Sequence, residues 1–193
     1  MASPRKRMAE GRLITVVGPS GAGKDSILAL VKAALPDIVF VRRTITRAPD
    51  GGFENHVSVD VDTFEAQSRA GMFALEWAAN GLSYGIPKSI RADLDAGRRV
   101  IFNGSRGAMA DITAAFPDVM VISIEVNRDI LKERLLARNR ETPEEIEARL
   151  DRDVPSFPPD LHVEVIDNSG SLENSVAQMI DILSRETGAG RGE

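Results

Sequence analysis

Residues 18–26 read Gly18, Pro19, Ser20, Gly21, Ala22, Gly23, Lys24, Asp25 and Ser26. The first seven match G-x-x-x-x-G-K. The motif follows a short β-branched apolar run at 13–17 and precedes helically spaced apolar residues at Ile27, Leu28, Leu30, Val31 and Leu35. Glycines in such a turn let successive backbone N–H groups point inward as an anion nest, and a following helix aims its positive end at the same point. A lysine closing the motif can reach the terminal oxygens of a bound polyphosphate and follow charge to the leaving oxygen. The chemistry open to these residues is phosphate binding and phosphoryl transfer.

Two groups of arginines offer the complementary half. Arg42, Arg43 and Arg47 cluster early, and Arg134, Arg138, Arg140, Arg149 and Arg152 late. Guanidinium forks bind phosphate oxygens in pairs, so these are candidates for gripping an anionic acceptor and the group in transfer. Arg134 and Arg138 are four apart and share a helical face. The plainer reading is a solvated charged helix, with Glu133, Glu141, Glu144, Glu145 and Glu147 as ion-pair partners.

One motif position departs from the usual pattern. The residue after the lysine is ordinarily Ser or Thr, whose hydroxyl holds Mg²⁺; here it is Asp25, with Ser26 next. Both are hard oxygen ligands, so Asp25 and Ser26 are the expected metal ligands. The apolar run at 100–102 ends in Asn103 and Gly104, with no carboxylate where a second metal-holding acid would stand. Asn103 and Arg106 lie where a parallel strand should end in a ligand crevice, which makes them acceptor-contact candidates.

The rest of the chain must position these groups. Its 193 residues suit one domain, and the 42% hydrophobic and 27% charged content is that of a soluble globular protein. No run approaches the roughly 18–20 apolar residues of a membrane span. A net charge of −5 argues against broad nucleic-acid binding, and the absence of cysteine excludes disulfides and thiolate chemistry. A cytoplasmic protein is expected, with residues 1–10 as a flexible arm and 188–193 as a flexible tail. Strands are expected at 13–17, 38–41, 100–102, 119–126 and 163–166. A hairpin of 73–78 with 82–86 should turn at Asn80-Gly81. Helices are expected at 24–35, 61–70, 106–115, 127–139, 142–152 and 171–185, with another led by Pro87. Residues 44–59 read as a long functional loop with at most a short strand at its end. Alternating strands and helices indicate an α/β fold with a mostly parallel sheet flanked by helices.

The motif at 18–26 resembles that of guanylate kinases, as do Thr-Ile-Thr-Arg-Ala-Pro at 44–49, Leu-Glu-Trp-Ala at 75–78, Tyr84-Gly85 and the arginine-rich stretch 134–149. Within that P-loop superfamily the chain is most similar to the ribose 1,5-bisphosphate phosphokinases. The similarity lies in Gly-Lys-Asp-Ser at 23–26, Ile-Thr-Arg at 45–47, Glu-Asn-His at 54–56, Trp77, residues 79–82, and Asn-Gly-Ser-Arg at 103–106. The resemblance implies a P-loop NTPase fold with an acceptor-binding insertion at about 42–86 and a lid at about 138–150, all within one domain over 11–187. It implies ATP and Mg²⁺ as cosubstrate and metal, and ribose 1,5-bisphosphate as acceptor. By the same resemblance, Lys24, Arg138 and Arg149 act in transfer, and Arg43, Arg47, Glu76, Tyr84, Asn103 and Arg106 contact the acceptor. The expected partner is a small phosphorylated sugar, with a homodimer as the alternative to a monomer and neither nucleic acid nor membrane involved.

Two rivals stand beside this reading. A guanylate kinase is supported by Glu76, which matches the glutamate that reads guanine, and opposed by the missing acids at 100–104. A non-catalytic scaffold of the same fold is opposed by Lys24 and the late arginines. His56 is a further candidate for a sugar or phosphate contact, and Asn168 for a nucleotide contact.

Overall fold

The computed structural model describes residues 11–47, 56–139, 141–151 and 155–185. Five parallel strands form the central sheet: β1 (Arg12–Val17), β2 (Val39–Phe40), β7 (Arg99–Asn103), β8 (Met120–Glu125) and β9 (Val163–Asp167), in the order β2-β7-β1-β8-β9. The apolar runs of β1, β7 and β8 are continuous because both faces are covered. Leu13, Val17, Val100, Phe102 and Val121 face one core, and Ile14, Val16, Ile101, Ile122 and Ile124 the other. Against the second face pack α1 (Lys24–Ala34) and α7 (Leu172–Arg185), through Ile27, Val31, Met179 and Leu183.

A second sheet of four strands stands over the first core, in the order β4-β3-β6-β5. Its members are β3 (Arg43–Ile45), β4 (His56–Ser58), β5 (Phe73–Ala79) and β6 (Leu82–Pro87). The β5–β6 hairpin turns at Asn80 (φ 52°) and Gly81 (φ 73°), the two positive dihedrals of a type I′ turn. The helix α2 (Val61–Arg69) is capped by Asp60, whose carboxylate accepts from Thr63 N at 2.7 Å. Phe64 of α2 stacks on Phe73 with ring centroids 4.9 Å apart.

Short helices α3 (Ile90–Asp95) and α4 (Met109–Ala115) flank β7. After β8 come α5 (Arg128–Ala137) and α6 (Pro143–Leu150). Asn127 caps α5, and Thr142 with Glu145 forms a complete capping box on α6. Leu131, Leu135 and Ile146 bury a small core of their own between these two helices. Arg128 pairs with Glu147 and Asp151, and Lys132 with Glu147, along the outside of the joint.

The structure corrects the sequence reading in two places. Residues 43–45 are a strand, β3, which pairs antiparallel with β6 and parallel with β4, a tertiary pairing that a three-residue segment does not announce; β4 at 56–58 is the short strand allowed at the loop's end. Pro87 closes β6 instead of opening a helix, and α3 begins at Ile90.

Candidate active site at the phosphate loop

The parallel register sets Val16 beside Asn103 and Val17 beside Ser123, so the ends of β1, β7 and β8 converge. Ligands of open α/β sheets bind outside these carboxyl ends. Residues 18–23 turn there into α1, whose N-cap Gly23 sits at φ 85°, a left-handed conformation that L side chains rarely adopt. Lys24 Nζ curls back to donate to Gly18 O and Pro19 O, both at 2.8 Å. Its pKa is pushed down to about 8, chiefly by burial; Asp25 opposes the shift, while Arg43, Arg138 and Arg149 add to it.

The loop is braced from behind by Asn168, which follows β9. Its side chain donates to Ala22 O at 2.7 Å and accepts from Ser175 Oγ at 2.8 Å. Its backbone N–H donates to Glu125 O at 2.8 Å, and its carbonyl accepts from Arg134 at 2.8 Å. A Cβ at Gly23 would lie 2.6 Å from its amide nitrogen. Asn168 is therefore a buried strut of the phosphate loop, and its polar groups are occupied within the protein. Removing the strut leaves buried groups unpaired at about 1–3 kcal/mol. Asn168→Ala is expected to melt several degrees below the parent and to bind nucleotide more weakly. An unchanged melting curve would contradict the bracing role.

In front of the loop opens a cleft of about 540 Å³. Lys24, Asp25, Ser26, Arg43, Arg47, Tyr84, Asn103, Arg138 and Arg149 all line it, together with Gly18, Ser20, Gly21 and Gly23. Strand alternation explains the second sheet's share. Arg43, Ile45 and Arg47 are two apart, and Ile45 pairs with Tyr84, which pairs with Trp77. Tyr84 and Trp77 stack with centroids 5.2 Å apart and planes 3° from parallel, and the Arg43 guanidinium lies 5.5 Å from the Tyr84 ring. Arg43 is thus held over an aromatic face. Arg149 enters the cleft from α6 in an ion pair with Glu141, which lines it too.

Three expected contacts are placed elsewhere. Glu76 shares the row of Gly85 and Thr44, on the opposite face of β5 from Trp77; its side chain is exposed and does not line the cleft. Arg106 turns to Ser123 Oγ at 2.5 Å and to Glu125 at 3.5 Å, with its guanidinium 4.4 Å from the Phe157 ring centroid. His56, on β4, approaches Ser58 Oγ at 3.0 Å and lines a separate hollow of about 290 Å³ behind Asp25 and Asn103. Arg140, Arg152 and the Glu54-Asn55 part of the matched motif lie outside the described residues.

Sequence reasoning passed over Trp77, Ala79, Leu82, Ser105 and Glu141 as cleft residues. A signal for three of them existed. A two-residue turn at Asn80-Gly81 fixes the hairpin register, pairing Ala79 with Leu82 and Trp77 with Tyr84. Once Tyr84 is assigned to the cleft, Trp77 follows it.

No family model matches the chain. Among curated proteins, the ribose 1,5-bisphosphate phosphokinase PhnN of Rhizobium etli is 44% identical over 176 residues, spanning 90% of this chain and 89% of that one. The chain belongs to the ribose 1,5-bisphosphate phosphokinase family. The family protein of Agrobacterium fabrum is 40% identical over 92% of this chain and 98% of its own length. Among solved structures, the guanylate kinase of Anaplasma phagocytophilum superposes with a TM-score of 0.69 over 92% of this chain at 19% identity, a likeness of fold. This phosphokinase-family chain is therefore a kinase on a guanylate-kinase-like P-loop scaffold. No helix among its described residues is long and apolar enough to cross a membrane.

Proposed function

We propose that the chain transfers the γ-phosphoryl group of ATP to the anomeric phosphate of ribose 1,5-bisphosphate, giving 5-phospho-α-D-ribose 1-diphosphate and ADP. The observation that carries this is the cleft itself, where the phosphate loop faces Arg43, Arg47, Arg138 and Arg149 from two other walls. An acceptor with two phosphates suits such a lining better than a purine. The guanylate kinase rival is weakened because Glu76 faces away from the cleft and Asn103 stands where an acid would be needed.

A phosphate acceptor is largely dianionic at neutral pH, its second pKa being about 6, so no general base is required. What the chain must supply is in-line placement and charge neutralisation. Backbone N–H groups of 20–23 and the start of α1 hold the donor's phosphates. Lys24 exchanges its bonds to Gly18 O and Pro19 O for phosphate oxygens and follows the charge to the leaving group. Arg43 and Arg47 grip the acceptor, with Tyr84 as a neutral donor and as the face on which Arg43 rests. Segment 138–150 acts as a lid, bringing Arg138 and Arg149 onto the transferring group and excluding water.

Mg²⁺ fits the residues present. Asp25 and Ser26 offer oxygen donors at the start of α1, and the buried Asn103 Oδ1 has no hydrogen-bond partner. No cluster of three His, Cys, Asp or Glu among the described residues could hold a metal alone, as expected when Mg²⁺ is shared with substrate phosphates. Bound there, it would neutralise β- and γ-phosphate charge.

The depressed pKa of Lys24 makes nucleotide binding proton-linked. Above pH 8 the free lysine is mostly neutral, whereas the phosphate-bound form is held as the cation. Near pH 8.5, binding should take up more than about half a proton per nucleotide, measured calorimetrically in buffers of different ionisation enthalpy. Affinity should fall as pH rises through 8, and Lys24→Arg should abolish both effects. Phosphorus NMR of a reaction with MgATP tests the chemistry: ribose 1,5-bisphosphate should yield an anomeric diphosphate. Failure to form it would overturn the proposed acceptor.

A further inference from the structure

In the ordinary form of this loop the residue after the lysine contributes a hydroxyl to Mg²⁺, and a neighbouring strand end contributes a carboxylate. Here the two places carry Asp25 and Asn103. They are in direct contact: Asn103 Nδ2 donates to Asp25 Oδ1 at 2.9 Å. Asn103 is the last residue of β7 and pairs with Val16 just before the loop, while Gly104 N donates to Val16 O at 2.8 Å. It therefore occupies the level from which a strand-end acid would reach the metal.

We infer that the metal-holding carboxylate has been moved from the strand to the helix, with Asp25 and Asn103 acting as one unit for a divalent cation. This rests on the nucleotide half of the proposed function and not on its acceptor. Asp25 lies in the first turn of α1, where the helix end favours negative charge. The Asn103 amide fixes one carboxylate oxygen and leaves the other for the cation. Asn103 Oδ1, on the same amide, is buried and without a hydrogen-bond partner, and is the second oxygen of the unit. The net charge of the unit is the single negative charge of the ordinary arrangement, carried on the other residue.

The reciprocal exchange tests this with almost no change in shape. Asp25→Asn keeps an acceptor for the Asn103 amide and removes only the charge. Adding Asn103→Asp returns the charge to the strand and reverses the hydrogen bond. Calorimetric titration of ADP, with Mg²⁺ and with EDTA, reads how far the metal tightens binding in each full-length protein; melting curves check the fold. D25N should lose at least about tenfold of that tightening, and D25N/N103D should regain most of it. Should the double variant not fold, Asp25→Ser with Asn103→Asp restores the ordinary motif and carries the same expectation. Full metal coupling in D25N, or a folded exchange variant as poor as D25N, overturns the inference while leaving the kinase reading intact. A parent protein that binds no ADP overturns both.

Discussion

Lys24→Met should lower kcat by roughly three orders of magnitude while leaving the melting temperature equal to the parent's or higher. The two halves of this result come from one cause. Burial holds the Lys24 pKa near 8, below its unfolded value of about 10.5, so between those values the unfolded chain binds more protons than the folded one. At pH 7 the lysine is charged in both states, and its charge is carried in the fold at a cost. Stability attributable to Lys24 rises with pH through that window, and the apolar replacement escapes the cost altogether. The residue is retained for what it does to phosphate. A variant that loses activity because it unfolds would contradict this, and calorimetric melting beside turnover separates the two.

Arg149→Ala and Arg138→Ala should each reduce kcat by on the order of 10³-fold with only a few-fold change in nucleotide affinity, because their contacts are made to charge that develops in the transition state. Arg149 is the sharper case. Its ion pair with Glu141 holds it at the cleft before substrate arrives, and the planar fork suits two phosphate oxygens at once. Arg149→Lys keeps the charge and should recover little activity. Glu141→Gln should cost much less, since it removes a positioning partner and leaves the arginine. Single-turnover kinetics distinguish a slowed transfer from a weakened complex. If Arg149→Ala changes nucleotide affinity by as much as it changes kcat, the arginine is a binding residue and the proposed lid role fails.

The elements that place these groups were legible to unequal degrees. The central strands announce themselves because burial on both faces requires unbroken apolar runs, as at 13–17 and 119–126. The phosphate loop and the capping box at Thr142 and Glu145 were legible because each is a local device whose geometry dictates residue types. Strand β3 was not, since three residues carry no period and its pairing comes from β6 and β4. Side-chain direction caused the other misses. Glu76 and Arg106 sit in matched segments, but Glu76 is one residue out of phase with Trp77, and Arg106 finds Ser123 and Glu125 beneath it. Asn168, a candidate for a nucleotide contact, stands behind the phosphate loop as a strut bonded to Ala22 O and Ser175 Oγ.

The most direct measurement is ADP release from MgATP with ribose 1,5-bisphosphate or GMP as acceptor, reported as the ratio of kcat/KM values. A cleft lined by Arg43, Arg47, Arg138 and Arg149, with Glu76 turned away, should favour the sugar bisphosphate by at least on the order of 10³-fold. Comparable or faster turnover of GMP would contradict the proposed acceptor and place this scaffold with the nucleotide kinases it resembles in fold.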